Sequence, residues 1–87
     1  MTYKEAKDKI LEALRNIEGW TVKDHSSKFI KMKVPWVKHE DRKFKVWFKS
    51  QSIYTGQDKP IHSSHLDMKK IASCSNEDIS KILKYYT

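Results

Sequence analysis

The sequence predicts an α+β fold: an antiparallel sheet of three to four strands with N- and C-terminal helices packed on one of its faces, in the order α-β-β-β-β-α. Three observations carry this. A segment at each end of the chain spaces its apolar residues in steps of three and four and opens on a capping signal. Between them, residues 28–54 alternate apolar and polar side chains with period two, the pattern of a half-buried antiparallel sheet. Only two Gly and two Pro, beside a hydrophobic fraction of 38 %, argue for an ordered globule and against a low-complexity chain.

The first helix opens at Thr2, with Glu5 three residues on, so that each side chain can satisfy the other's free backbone N–H. Tyr3, Ala6, Ile10, Ala13, Leu14 and Ile17 form its inward stripe, Glu5 and Lys9 are spaced as a supportive ion pair, and Gly19 supplies the stop. Trp20 to Asp24 follows as a short strand with Trp20 and Val22 on one side and Thr21 and Lys23 on the other. His25-Ser26-Ser27 reads as a turn.

A hairpin comes next. Ile30, Met32, Val34 and Trp36 share one side of its first strand, and Lys31 and Lys33 the other. In its second strand Phe44, Val46 and Phe48 face the core, while Lys43, Lys45, Trp47, Lys49 and Gln51 face away. A loop at Lys38–Arg42 sets Trp36 against Phe44, Val34 against Val46 and Met32 against Phe48, and on the far face Lys33 against Trp47 and Lys31 against Lys49. The second strand is expected to run on through Ser50 and Ser52 to Tyr54 with Ile53 on the other face, and Thr55–Pro60 to form a loop. Residues 61–72 fit a fourth strand better than a short helix from Ser64. The last helix is capped by Ser75 with Asp78 three residues on, and its stripe is Ile79, Ile82, Leu83 and Tyr86.

The α-β-β-β-α portion of this order is similar to the double-stranded-RNA-binding domain, and Lys69-Lys70-Ile71-Ala72 resembles that family's Lys-Lys-x-Ala-Lys patch. In the family the patch opens a long C-terminal helix. Here Ser73-Cys74-Ser75 and an acidic helix start at Asn76-Glu77-Asp78 follow it, so the similarity is topological and no residue roles are carried over.

At 87 residues the chain is expected to be a single domain, 1–87. Eighteen Lys and Arg against eleven Asp and Glu give a net charge of +7, which favours polyanionic partners. Arg15 and Arg42 are the only arginines. Lysine suits phosphate contact, whereas bidentate reading of guanine edges falls to arginine, so backbone or shape binding is expected over base readout. The candidate nucleic-acid-binding residues are Lys31, Lys33, Lys43, Lys45, Trp47, Lys49 and Gln51, with Trp47 exposed for base stacking. The plainer reading is a solvated sheet face that lysine keeps soluble, with Trp47 under the stem of Lys33. Lys31 opposite Lys49 tilts against it, because facing like charges cost stability unless an anion sits there.

Cys74, the one cysteine, fits a cytoplasmic or other reducing compartment, and no apolar run approaches the roughly 20 residues of a membrane span. His62 and His65 are three apart, and in a strand such residues point to opposite faces, so no metal site is expected. Cys74 has no base beside it and there is no glycine-rich phosphate loop, so neither catalysis nor a cofactor is expected. DNA or RNA is the first expected partner. An acidic protein surface, or a second copy of the chain in a homodimer, is the alternative.

Overall fold

The computed structural model describes residues 1–24, 34–57 and 61–87, with only the backbone described at 61–65. Its elements are α1 (Tyr3–Arg15), β1 (Trp20–Lys23), β2 (Trp36–His39), β3 (Lys45–Lys49), β4 (Ser52–Gly56), β5 (Ile61–Asp67), α2 (Met68–Ala72) and α3 (Asn76–Tyr85). The strands form one antiparallel sheet in the order β1-β2-β3-β4-β5, each pairing with the next in sequence. The α+β class and the two terminal helices are as expected. Among the described residues there are five strands, which departs from the α-β-β-β-α similarity, and Lys69 and Lys70 lie in a five-residue helix instead of opening a long one.

α1 forms where its capping chemistry requires. Thr2 Oγ1 accepts from the Glu5 N–H at 3.1 Å, and Glu5 Oε1 accepts from the Thr2 N–H at 2.9 Å. Its buried stripe of Ala6, Ile10, Leu11, Ala13 and Leu14 meets Met68, Ile71 and Ala72 of α2, Ile79 and Leu83 of α3, and Trp20, Val37, Val46, Phe48 and Ile53 of the sheet. The helices therefore cover one sheet face. Trp20 Nε1 donates to Ser80 Oγ at 2.8 Å, tying β1 to α3. Lys9 does not serve the expected pair with Glu5; its ammonium donates to the Ala72 and Cys74 carbonyls at the end of α2, where a cation complements the helix dipole. Tyr86 is 41 % exposed beyond the end of α3 and is not part of its buried stripe.

Gly19 turns the chain from α1 into β1 at φ +95°, and its carbonyl accepts from the Glu40 N–H at 2.9 Å. A Cβ there would lie 2.7 Å from His39 Nε2. His39 is buried, its ring edge-on to Trp20 and its Nδ1 accepting from the Asp41 N–H, so the imidazole cannot yield freely. Gly19→Ala is expected to cost about 1–3 kcal/mol through the clash and the backbone conformation together. A lowered denaturant midpoint with unchanged slope is the readout.

The central register differs from the sequence expectation. Trp36 pairs with Trp47, Val37 with Val46 and Lys38 with Lys45, so the β2–β3 loop falls after His39. The odd-numbered shift turns β2 over: Val37 and His39 face the helices, and Trp36 and Lys38 face away. Pro35 extends the pairing by half, its carbonyl accepting from the Phe48 N–H at 3.0 Å while its ring nitrogen has no hydrogen to return. Ile30, Met32, Lys31 and Lys33 lie outside the described residues, so the pairs expected for them do too. The second strand does not run through to Tyr54. A two-residue turn at Ser50-Gln51, with Ser50 at φ 54°, reverses it into β4, which buries Ile53 against Phe48 and moves Tyr54 to the other face.

Residues 61–72 contain both structures the sequence offered. β5 ends at Asp67, which caps α2 by accepting from the Lys69 and Lys70 N–H groups, and the Gln51 carbonyl holds the junction through the Met68 N–H. Burial alone would raise the Asp67 pKa. Bonds from the Lys70 and Lys69 N–H groups and the Tyr3 hydroxyl, with the Lys70 charge, outweigh it and hold the carboxyl below its usual 3.8. Its stabilisation is thus fully present above 3.8 and lost as pH falls through the lower folded value. Asp67→Asn, which keeps a capping oxygen, is expected to flatten that acid decline; thermal midpoints on either side of 3.8 measure it.

Candidate nucleic-acid interface

The face turned away from the helices is assembled from alternate residues of the five strands, and the pairing sorts them into rows. In one row Lys38 of β2 stands directly opposite Lys45 of β3. Two residues along the strands, Lys23, Trp36, Trp47 and Tyr54 run across β1, β2, β3 and β4. A further two residues along β3, Lys49 pairs with Ser52 of β4. Two residues along a strand span about 7 Å, so an aromatic row is flanked by lysines on both sides at that spacing.

Trp47 occupies the middle of this face, but it is not exposed. Its indole is 1 % accessible and packs with Val34 and with the partly buried Trp36 in a small apolar cluster separate from the main core. The expectation of an exposed Trp47 is corrected accordingly: the far face has an apolar centre of its own, and Trp47 is that centre. Its Nε1 is buried without a hydrogen-bond partner among the described residues. Trp36 beside it is half-buried, and the Lys45 ammonium lies 4.7 Å from the centroid of its ring.

Lys45 and Lys49 lie on this face as expected, and both are half-buried. Lys43 and Gln51 are exposed in the connections at either end of β3 instead of on the sheet surface. Lys31 and Lys33 are outside the described residues. Lys23, Lys38, Trp36 and Tyr54 join the face without having been singled out. For Trp36 the signal is in the sequence: Val34-Pro35-Trp36-Val37, like Val46-Trp47-Phe48, is an unbroken apolar run, which marks a strand covered on both faces.

Asp67 of β5 pairs with Ser52 and so falls in the Lys49 row. Among the described residues Asp24 and Glu12 pair with Arg15, and Asp41 lies 3.5 Å from the Lys84 ammonium on α3 and 3.8 Å from His39 Nδ1. The acidic pair of the β2–β3 loop thus serves the helix side through Asp41. Asp67 is the sole carboxylate among the described strand residues, and the α2 cap and Tyr3 engage it. Neither Lys38 nor Lys45 has a carboxylate partner among the described residues. Among those residues no three His, Cys, Asp or Glu side chains converge as a metal site would require, and no helix is long and apolar enough to cross a membrane. The side chains of His62 and His65 are not among those described.

No protein-family model matches the chain, and neither a curated protein nor a solved structure does.

Proposed function

We propose that this chain is a non-catalytic nucleic-acid-binding module that holds the phosphate backbone on the sheet face opposite its helices. The observation that carries the reading is Lys38 set squarely against Lys45, with no carboxylate partner for either among the described residues. Facing like charges on adjacent strands cost stability. A phosphate between them converts that cost into two charge-assisted contacts. Lys23 and Lys49 extend the positive face on either side, and the net charge of +7 supplies long-range attraction to a polyanion. With so little arginine available, the expected mode is backbone binding, steeply salt-dependent and weakly sequence-dependent. Fluorescence anisotropy against labelled single-stranded and duplex DNA and RNA at low salt tests it. Absence of binding to all four would remove the reading.

One observation favours a second reading, a protein-interaction module. Tyr85 is 82 % exposed, stacked edge-on with Tyr86, and together with Lys81 and Ile82 the pair lines an open depression on α3. Exposed rings around a lysine suit an acidic protein surface carrying apolar side chains. A partner captured through this helix that survives nuclease treatment and is lost in Tyr85→Ala would support it over the first.

A further inference from the structure

Resting on the phosphate-binding reading, we infer that the ligand is single-stranded, with a base stacked on the Trp36 indole and the adjoining phosphates on Lys38 and Lys45. The position of the Lys45 ammonium, 4.7 Å from the Trp36 ring centroid, carries the argument. A lysine head stays hydrated while its stem lies along apolar surface. Among the described residues, the ring face of the half-buried Trp36 is thus held by a hydrated cation. Val34 and the buried Trp47 hold the indole from within the sheet, and Lys23 of β1 stands opposite it on the other side. The result is an aromatic surface fixed before any ligand arrives, which spares the ordering cost of binding.

A base entering this site displaces the Lys45 ammonium from the ring toward a phosphate. The lysine exchanges a cation–π contact for an ion pair, and the indole exchanges a cation for a base. Lys38 lies one row away, about 7 Å along the strand, close to the separation of a base from its own phosphate. A duplex cannot use this arrangement, because its base faces are already stacked on one another. It can reach only the lysines. An unpaired strand engages both sets, and stacking tolerates any base, in keeping with weak sequence preference.

The test compares 12-nucleotide dT and U strands with DNA and RNA duplexes of equal phosphate number, by anisotropy at fixed low salt, for the wild-type chain and for Trp36→Ala and Trp36→Phe. The expected result is single strands bound more tightly than duplexes. Trp36→Ala should weaken single-strand binding by about 5- to 150-fold, the range for one base–aromatic stack, and leave duplex binding unchanged. Trp36→Phe should restore most of the loss. Because Trp36→Ala also trims the cluster around Trp47, indole emission provides a readout in folded protein. A single strand should quench wild-type emission, and Trp36→Phe should bind without that quench. The dT and U arms separate DNA from RNA. Duplexes bound as tightly as single strands, or no quench of wild-type emission by bound single strand, would overturn the inference and leave the phosphate reading standing. Failure of every polymer to bind would overturn both.

Discussion

Trp47→Ala is expected to remove about 3–5 kcal/mol of stability, the usual loss for truncating a large buried aromatic and a substantial part of the roughly 5–15 kcal/mol that holds a small domain folded. The indole is 1 % accessible and joins Val34 to Trp36 on the sheet face turned away from the described helices. Without it that face keeps its lysines and loses its apolar centre. Trp47→Phe should cost far less, about 1–2 kcal/mol, because the ring is largely kept and the N–H discarded has no partner to lose among the described residues. Urea titration of the three proteins reads both changes. A Trp47→Ala midpoint within error of the wild type, the behaviour of an exposed ring, would contradict the placement of this side chain.

That placement marks where the sequence was legible and where it was not. The helices were, because capping and spacing are local: Thr2 with Glu5, Ser75 with Asp78, and the Ile10 and Leu14 stripe appear in the structure as they read in the chain. The parity of β3 was legible too, with Val46 and Phe48 inward and Lys45, Trp47 and Lys49 outward. Its relation to β2 was not, since two adjacent apolar residues, Trp36 and Val37, serve opposite faces and period-two reasoning admits only one. The Ser50-Gln51 turn contains no Gly, Asn or Pro, and Ser50 takes a positive φ that its residue type does not announce. The expected basic face therefore survives in Lys45 and Lys49, while its aromatic partner changes from Trp47 to Trp36.

The charge-reversed double variant Lys38→Glu/Lys45→Glu is expected to weaken nucleic-acid binding by about 100-fold or more, as two phosphate contacts worth roughly 1.5 kcal/mol each are lost and repulsion replaces them. Net charge alone does not explain such a loss. Each reversal removes two charges, so the double variant falls from +7 to +3, and so does Lys4→Glu/Lys7→Glu on the outer side of α1. The second variant should lose only a few-fold, the share owed to long-range attraction. Both should fold; the first keeps a facing like-charge pair at these two positions, now of carboxylates, and gives up the Lys45 contact with the Trp36 ring. Equal losses in the two variants would mean that overall charge, and not this face, attracts the ligand.

The most direct measurement is the salt dependence of single-strand affinity between roughly 50 and 200 mM salt, in the wild type and in Lys38→Glu/Lys45→Glu. Four lysines, Lys23, Lys38, Lys45 and Lys49, are proposed to meet phosphates. At about 0.7 counterion released per contact the wild-type slope of log K against log salt is expected near −3. Removing two contacts should bring it to about −1.4. A wild-type slope near zero, or one that the double variant leaves unchanged, would contradict a phosphate backbone lying across β2 and β3.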